Sequence, residues 1–249
     1  MLVLLPPSET KRPGGDGPPL DLDALAFPSL RAQRGAVVGA LVDLSRDEDA
    51  AARVLKLSAK RRHEIVDNAS LRSAATMAAI DRYTGVLFDA LDAATLDAPA
   101  RAWVGEHVVI HSAPFGPIGA LDAIPAYRLA AGTSIPGLPA LRRVWAEAVT
   151  AALGERTPSF VLDLRSEAYA ALGPVPAVVD SAYVRVVTEG DGGAVRALNH
   201  FNKHAKGDLV RALAMSGRGV ETRRAFEDWA AETGWVIRPG LRGELQLVV

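Results

Sequence analysis

The sequence predicts a single domain, residues 1–249, with a mixed α/β (α+β) fold in which helices flank a mixed central sheet. Short apolar runs typical of buried strands alternate along the chain with longer segments whose apolar residues recur at helical spacing. No stretch has the composition of an interdomain linker, and no segment repeats. Since 49% of the residues are hydrophobic and 23% are charged, the composition is that of a chain with a packed core.

Short patterns define the elements of the N-terminal half. Leu2–Leu5 is fully apolar and is followed by two prolines, which indicates a buried first strand. His107–Ser112 has a β-branched core and indicates a second strand. Helices are predicted over 22–45, 47–57, 74–80 and 91–104, and a turn over 114–119.

The C-terminal half continues this alternation. Apolar residues at helical spacing predict helices over 138–153 and 222–232. Ser159–Leu164 indicates a buried strand, and a short helix over Arg165–Tyr169 follows it with Ser166 as its N-cap. Further strands are predicted over 176–179, 182–187, 234–238 and 243–249, with a hairpin-like turn over 189–193.

A predicted amphipathic helix carries the densest group of basic and amide side chains. Its apolar stripe consists of Leu198, Phe201, Ala205, Leu209 and Leu213. One shoulder of the stripe carries Asn199, Asn202, Lys203 and Lys206, whereas the side expected to face water carries His200, His204, Gly207 and Arg211. Between Ala194 and Arg224, seven basic residues stand against two acidic ones, on a chain with a net charge of −1.

Three interpretations fit this helix. A charged helix face is commonly a solvated face. The Asn/Lys shoulder could instead bind an anion, either a phosphate backbone or a small anionic ligand. His200 and His204 have a spacing that can chelate a metal, but no carboxylate stands between them as in His-Glu-x-x-His, so no metal site is predicted.

Polar side chains also follow the predicted strand ends. Together with the basic helix they form four groups, Ser8–Lys11, Ser112–Arg128, Ser166–Tyr169 and Asn199–Lys206. If the groups converge, they line one cleft that holds both acids and bases. Structural explanations exist as well, since Ser8–Lys11 precedes a Gly/Pro-rich loop, and Asp122 could simply neutralise Arg128.

The bulk composition limits the classes of function. A net charge of −1 argues against indiscriminate nucleic-acid binding, so any DNA contact needs a local patch. The absence of cysteine excludes disulfides, thiolate metal sites and cysteine nucleophiles. The opening apolar run is too short for a signal peptide, and no run reaches the length of a membrane span. We therefore expect a cytoplasmic protein, and no cofactor is predicted.

A set of short motifs runs through the chain in a fixed order. The motifs are Pro7-Ser-Glu-Thr-Lys11, Tyr83-Thr-Gly85, Ser112 to Gly116 with Leu121-Asp122, Tyr127-Arg128-Leu129 with Gly132, Leu164-x-Ser166-x-x-Tyr169, Lys203-x-Ala-Lys-Gly207 with Arg211, and Gly243-Glu-Leu245. Each motif is short, but the ordered set covers nearly the whole chain and resembles the YaaA family of peroxide-stress proteins.

The resemblance implies a single mixed α/β domain with a positively lined cleft and a helix-hairpin-helix-like element. It also implies DNA binding coupled to protection from peroxide and free iron. Three positions depart from the family pattern, because Glu9 and His204 stand where lysine is common and Gly119 stands where arginine is common. Each departure removes positive charge, which should weaken binding to DNA.

Two hypotheses of different classes follow. The first is a stress protein that binds double-stranded DNA through phosphate contacts from Lys11, Arg128, Lys203, Lys206 and Arg211. The second is an enzyme acting on a small anionic substrate, nucleotide-like or amino-acid-like. Its general base would be Glu9 or Asp122, its proton donor Tyr127 or Tyr169, and its anion clamp Arg128, Lys203 and Lys206. Further ligand contacts in either case are predicted from Ser8, Ser112, Ser166, Asn199 and Asn202.

Overall fold

The structure, a computed structural model, describes residues 1–189, 195–196 and 199–249. For Glu189, Val195, Arg196 and residues 199–201 it describes the backbone alone. The hairpin-like turn predicted at 189–193 therefore lies outside the described residues, except for Glu189. Leu198 lies outside them as well.

Eleven strands are present in the described part of the chain. They are β1 (Leu2–Leu5), β2 (Gly17–Pro19), β3 (Ala75–Ala78), β4 (Val108–Ser112), β5 (Gly116–Gly119), β6 (Ala123–Ile124), β7 (Val161–Asp163), β8 (Ser181–Glu189), β9 (Val195–Arg196), β10 (Val236–Pro239) and β11 (Leu245–Val248). The main sheet has the order β10-β11-β8-β7-β1-β4-β5, with β9 paired to β8. A small second sheet has the order β2-β3-β6.

The main sheet is mixed because parallel strands form its centre and antiparallel strands form its edges. β1 is buried along its whole length and pairs in parallel with β4 and with β7. β7, β8 and β11 continue the parallel pairing, whereas β5 and β10 join antiparallel. A strand that is buried on both faces reads as a continuous apolar run, which explains the sequence of β1.

Ten α-helices surround these sheets in the described residues. They are α1 (Arg31–Leu44), α2 (Glu48–Val54), α3 (Glu64–Ala69), α4 (Ala79–Arg82), α5 (Val86–Leu91), α6 (Ala98–His107), α7 (Leu141–Glu155), α8 (Glu167–Ala170), α9 (Asn199–Ser216) and α10 (Arg223–Glu232). The buried residues form one core that runs from Leu2 to Leu247. The prediction of a mixed α/β fold with a helix-flanked sheet is therefore confirmed. No helix in the described part of the chain has both the length and the apolar character to cross a bilayer.

Local sequence explains where several helices begin. The carboxylates of Asp47 and Asp97 and the hydroxyl of Thr222 accept hydrogen bonds from the first turns of α2, α6 and α10. α7 buries Trp145 completely, and its indole N–H donates to the carbonyl of Ala113 (3.0 Å). This contact anchors the turn between β4 and β5, which follows directly after Ser112 of the candidate site.

Three predicted elements were wrong, two of them because tertiary pairing overrides local preference. Residues 75–78, predicted as helix, form β3, because β2 and β6 pair with it from both sides. The turn predicted at 114–119 contains β5, an edge strand on which Pro117 is tolerated. The strand predicted at 176–179 forms a turn in which Val178 is 93% exposed.

The helix predicted over 91–104 was wrong in its first part, because Leu91 is the last residue of α5 and residues 92–97 separate it from α6. α5 ends at Leu91, and Asp92 takes a left-handed conformation with a φ of 46°. α6 then begins at Ala98 behind its own N-cap, Asp97. The apolar periodicity continues across the break, so the sequence pattern does not reveal the division.

Candidate functional site

β1 is the strand around which the candidate site is built. The chain passes from β1 to β4 in one direction across the sheet, whereas β7, β8 and β11 follow one another in the opposite direction. Such a reversal between adjacent parallel strands opens a crevice at their carboxyl ends, which is where open α/β sheets bind ligands. In this protein the reversal falls between β1 and β7, with the end of β4 beside it, and we call this strand-end region the crevice.

The segment after β1 is fixed by the Tyr83 motif. Thr84 donates its backbone N–H to the carbonyl of Thr10 (3.2 Å), and the Thr10 hydroxyl donates to the carbonyl of Thr84 (3.2 Å). Gly85 has a φ of 95°, and a Cβ atom there would lie 3.2 Å from Oγ1 of Thr10. The positive φ favours glycine, and the absence of a Cβ atom avoids a tight contact with the Thr10 hydroxyl. Two motifs far apart in sequence form one unit.

The ammonium group of Lys11 lies in aromatic surroundings. Nζ donates to the carbonyl of Ser8 (3.0 Å) and lies 3.9 Å from the ring centroid of Tyr127 and 5.4 Å from that of Tyr83. Burial, and after it a neighbouring guanidinium, lowers the pKa of Lys11 to about 7. The face of Tyr127 attracts a cation and offsets part of the desolvation. The lysine side chain is therefore held close to the balance between its charged and neutral forms.

A chain of buried hydroxyl groups lies next to Lys11. The phenol oxygens of Tyr83 and Tyr127 are 2.8 Å apart, and Ser112 donates its Oγ hydrogen to the hydroxyl of Tyr127 (3.2 Å). Phe115 donates its backbone N–H to Oγ of Ser112 (3.3 Å). Burial raises the pKa of both phenols, so both stay protonated at neutral pH.

Arg128 places a cation at the same crevice. Its side chain is 11% exposed, and Nη1 donates to Oε2 of Glu9 (3.1 Å), whose own side chain is 66% exposed. Asn68 fixes the backbone of Arg128 through two side-chain hydrogen bonds of 2.8 and 2.9 Å. The hydrogen bond from Arg128 lowers the pKa of Glu9. The arginine is thus held through its backbone and its side chain is largely buried, whereas its carboxylate partner reaches in from solvent.

We call Glu9, Lys11, Tyr83, Ser112, Tyr127 and Arg128 the strand-end cluster. Two further charged residues extend it towards α3. Arg61 lies 3.6 Å from Glu9 and donates to Glu64 at 2.5 and 3.1 Å, while Arg128 lies 3.7 Å from the same carboxylate of Glu64. Acids and bases therefore alternate around the rim of the cluster.

The segment after β7 contributes Tyr169. Its ring centroid lies 6.0 Å from that of His111, and the backbone of Ala131 hydrogen-bonds its hydroxyl. Burial, and next the nearby Tyr127, raises the pKa of Tyr169. Ser166 occupies the predicted N-cap position of α8, but its exposed side chain makes no capping hydrogen bond.

Lys206 reaches the crevice from α9. Its side chain is buried, and Nζ donates to the carbonyl of Leu164 (2.9 Å), the residue that follows β7. The N–H of Leu164 donates to the carbonyl of Leu4 in β1 (2.9 Å), so this ammonium lies beside the β1–β7 crevice. Burial lowers the pKa of Lys206 to about 8, although Asp163 acts in the opposite direction.

The other predicted residues of α9 do not converge on the crevice. Arg211 donates through Nη1 to the carbonyls of Leu91 and Asp92, both at 2.9 Å, and so caps the carboxyl end of α5. A Cβ atom on Gly207 would lie 2.2 Å from the carbonyl oxygen of Leu87. The prediction that Gly207 and Arg211 face water was therefore wrong, because α5 packs against that side of α9.

The apolar stripe of α9 is confirmed where its side chains are described, since Ala205, Leu209 and Leu213 are buried. Lys203 is exposed and Asn202 is half-buried. The side chains of Asn199, His200 and Phe201 lie outside the described part of the helix. His204 is exposed and lies 3.2 Å from Asp208.

Asp122 lies at the opposite end of the sheet from the strand-end cluster. Its Oδ2 accepts hydrogen bonds from the backbone N–H groups of Ala26 and Gly119, both at 2.8 Å. Gly119 pairs with Val109 near the start of β4, whereas Ser112 is the last residue of that strand. Asp122 therefore fastens two loops together, and the structure does not bring it to Lys11 or Tyr127.

A buried ionic network at the end of β7 was missed at the sequence level. Arg165 and Asp163 form an ion pair, and Nη1 of Arg165 donates to Nδ1 of His111 (2.9 Å). Nε2 of His111 is buried without a hydrogen-bond partner in the described structure. Burial, and then Arg165, lowers the pKa of His111 well below 6.5, so the ring is neutral. The signal in the sequence is an arginine two residues after an aspartate at a strand end.

Two surface depressions lie away from the cluster. One has a volume of about 650 Å³ and is lined by α1 and residues 136–138, and the other has about 430 Å³ and lies between α2 and α3. Among the described residues, no three histidine, aspartate or glutamate side chains are grouped as metal ligands.

Comparison with known proteins identifies the family. The family model of "Peroxide stress protein YaaA" matches residues 1–237. A UPF0246 protein of Corynebacterium efficiens is 44% identical over 255 residues, covering 100% of both chains. A UPF0246 protein of Streptomyces coelicolor is 43% identical over 246 residues, covering 95% of this chain and 92% of the other. This chain therefore belongs to the peroxide stress protein YaaA family.

Proposed function

We propose that the protein serves in the response to peroxide stress, and that it does so by binding a small anionic ligand, nucleotide-like or amino-acid-like, at the strand-end cluster. Membership of the peroxide stress protein YaaA family supports the oxidative-stress role. The ligand part of the proposal rests on the position of the cluster at the topological switch point of the sheet. It rests above all on the pair formed by Arg128 and Glu9.

The Arg128–Glu9 pair has the geometry of an exchangeable anion site. Arg128 is held by its backbone and is almost buried, whereas Glu9 is exposed and rests on it through one hydrogen bond of 3.1 Å. A carboxylate or phosphate of a ligand can take the place of Glu9 without disturbing the arginine, whose fork matches such groups. The Glu9 carboxylate is then free to accept a proton.

The remaining groups of the cluster suit the rest of a small polar molecule. Lys11 adds a second cation, and the hydroxyls of Tyr83, Tyr127 and Ser112 add donors and acceptors. A site that mixes acids, hydroxyls and cations is better matched to a small ligand than to a phosphate backbone, which needs cations alone.

Ligand-dependent thermal stabilisation of the full chain tests this proposal. Nucleotides, amino acids and small di- and tricarboxylates are screened, and at least one class is expected to raise Tm. Arg128→Met should abolish the shift. Glu9→Gln should enlarge it, because that substitution removes the charge that competes with the ligand. Arg46→Met is the matched control, since Arg46 is 77% exposed and pairs with Asp43 at the surface.

Two results would overturn the proposal. One is that no class in the screen raises Tm of the native chain. The other is that the ligand shift is equal in the native chain, Arg128→Met and Glu9→Gln. Because Glu9→Gln keeps the shape of the side chain, this variant tests the site even if Arg128→Met fails to fold.

DNA binding is the second candidate function, favoured by the exposed cation of Lys203 on α9. In this proposal the protein binds double-stranded DNA through α9 and a helix-hairpin-helix-like element and limits iron-dependent damage. Of the five predicted phosphate contacts, Lys11, Arg128, Lys206 and Arg211 have internal hydrogen-bond partners, whereas Lys203 is exposed and can contact a phosphate without rearrangement. Binding is therefore expected to be weak.

A salt series with labelled double-stranded DNA tests the second candidate. Lys203→Ala should weaken binding and reduce the slope against log salt by about 1. Lys206→Ala is the buried counterpart on the same helix, and it should leave the slope unchanged. Absence of binding at low salt would eliminate the DNA proposal for this chain.

A further inference from the structure

We propose that Lys11 is the nucleophile of the strand-end cluster and forms a Schiff base with the carbonyl carbon of a small anionic aldehyde or keto acid. This inference rests on the proposed function, because it uses the same ligand site and specifies the substrate class. It goes beyond that function by assigning a covalent step.

The first observation is the surroundings of the lysine amine. Nζ of Lys11 lies over the ring of Tyr127 and near that of Tyr83, and a backbone carbonyl, that of Ser8, holds it at 3.0 Å. Neutral partners of this kind fix the position of the amine without supplying a counter-charge. A nucleophilic lysine requires such a desolvated position.

The second observation is how the nearby charges are paired. The carboxylates that act on Lys11 are Glu64, Glu9 and Asp67, and the opposing cation is Arg128. Glu9 is hydrogen-bonded by Arg128, and Glu64 is bound by Arg61. The charges of Glu9 and Glu64 are therefore partly balanced by arginines, so these carboxylates offset only part of the effect of burial, which together with Arg128 lowers the pKa of Lys11 to about 7.

The third observation is that proton carriers adjoin the amine. The hydroxyls of Tyr127, Tyr83 and Ser112 form a hydrogen-bonded chain, and the two phenols belong to the rings whose centroids lie 3.9 and 5.4 Å from Nζ. Formation of a Schiff base needs a proton on the departing oxygen and the removal of protons from nitrogen. A chain of hydroxyl groups can supply and accept these protons without a change in net charge.

The chemical step balances without any redox partner. The lone pair of the neutral amine forms a bond to the carbonyl carbon, and the π electrons of the C=O bond move to oxygen. The oxygen then leaves as water after it has gained two protons, while nitrogen loses two of the three hydrogens that it carried as an ammonium. The sum is an ammonium plus a carbonyl giving a protonated imine plus water.

The anionic character of the substrate follows from Arg128. Its guanidinium lies in the same cluster, and its positive charge lowers the pKa of Lys11. A carboxylate bound there in place of Glu9 positions an adjacent carbonyl carbon for the amine. Glyoxylate is the smallest molecule that carries both groups, and acetaldehyde is its neutral counterpart.

Reductive trapping tests the assignment. The full chain is incubated at pH 7 with glyoxylate and cyanoborohydride, which reduces an imine to a stable secondary amine, and peptide mass spectrometry locates the adduct. Lys11 should be modified roughly tenfold or more in excess of the exposed Lys203, because a neutral amine is the reacting form. Labelling of Lys11 should rise between pH 6 and 8 and then level off.

Variants separate this inference from the function on which it rests. Lys11→Arg keeps the positive charge and should lose the adduct, whereas Lys56→Arg, at an exposed lysine outside the cluster, should leave trapping at Lys11 unchanged. Arg128→Met should retain trapping by acetaldehyde and lose the preference for glyoxylate. If Lys11 is trapped by neither aldehyde while anions still raise Tm, the Schiff-base assignment fails and the anion site stands. If Lys11 is trapped equally by both aldehydes, the nucleophile stands and the anion clamp fails.

Discussion

Arg165 binds the carboxylate of Asp163 through two parallel hydrogen bonds, from Nε to Oδ1 (2.9 Å) and from Nη2 to Oδ2 (2.7 Å). The side chains are 1% and 7% exposed. The same arginine donates to the carbonyl of Gly173 and to His111, both at 2.9 Å. One buried pair thus ties the end of β7 to β4 and to the loop after α8, and these segments form one wall of the candidate site.

We expect Asp163→Asn to destabilise the fold strongly. The substitution leaves the guanidinium of Arg165 buried without a counter-charge, and breaking a buried pair in this way costs about 3–5 kcal/mol in the free energy of unfolding. Urea denaturation at pH 7 measures the loss. Glu167→Gln is the control, because its pair with Arg185 is exposed and an exposed pair contributes about 0–1 kcal/mol. Equal losses in the two variants would contradict this account.

Gly207→Ala tests which of two opposite effects on stability is larger in α9, the gain in helix propensity or the clash with α5. Alanine favours helices, but a Cβ atom at this position would lie 2.2 Å from the carbonyl oxygen of Leu87. We expect a destabilisation of about 1–3 kcal/mol, because α5 and α9 must move apart. Gly35→Ala in α1 meets no atom within 4 Å and should stabilise by about 0.5–1 kcal/mol. A stabilising Gly207→Ala would show that α5 does not pack there.

Lys206 should make stability depend on pH in a defined window. Its pKa is about 8 in the folded protein, below the ordinary lysine value. Between about pH 8 and 10.4 the unfolded chain binds more protons than the native one, so stability increases with pH there. Below that window both states are charged, and burial of the ammonium lowers stability by its full amount.

The variant Lys206→Met isolates this effect. We expect it to be more stable than the native chain at pH 7, by an amount on the order of 3 kcal/mol from the shift in pKa. The difference should shrink as the pH is raised to 10. Urea denaturation of both proteins at matched pH gives the difference directly, and Lys203→Met controls for the loss of an exposed charge. A difference that does not change with pH would refute the assignment.

The sequence predicted the strands that are buried on both faces and failed where pairing decides the structure. Leu2–Leu5 reads as a strand because its burial in a parallel sheet demands a continuous apolar run. Residues 75–78 and 116–119 become strands only because other segments lie beside them. That information is contained in the topology and is absent from the local pattern.

The same limit applies to the candidate site. The sequence placed polar groups after β1, β4 and β7, and the structure brings Lys11, Tyr127 and Tyr169 together as expected from parallel strands. It does not bring Asp122 or Arg211 there, because their partners are backbone groups that only the folded chain brings near. Tyr83 was overlooked as a site residue, although its motif was recognised.

The hydroxyl chain of Tyr83 and Tyr127 should show strong coupling in a double-mutant cycle. Tyr127→Phe removes the hydroxyl that Tyr83 and Ser112 share, and the loss of a hydrogen-bond partner from a buried polar group costs about 1–3 kcal/mol. Tyr83→Phe added to that variant removes a hydroxyl that has already lost its Tyr127 partner, so it should cost less than it does in the native chain. We therefore expect the double variant to lose less free energy of unfolding than the sum of the single variants, by about 0.5–3 kcal/mol. Urea denaturation of the four proteins at pH 7 measures the coupling, and additive losses would mean that the two phenols do not share a hydrogen bond.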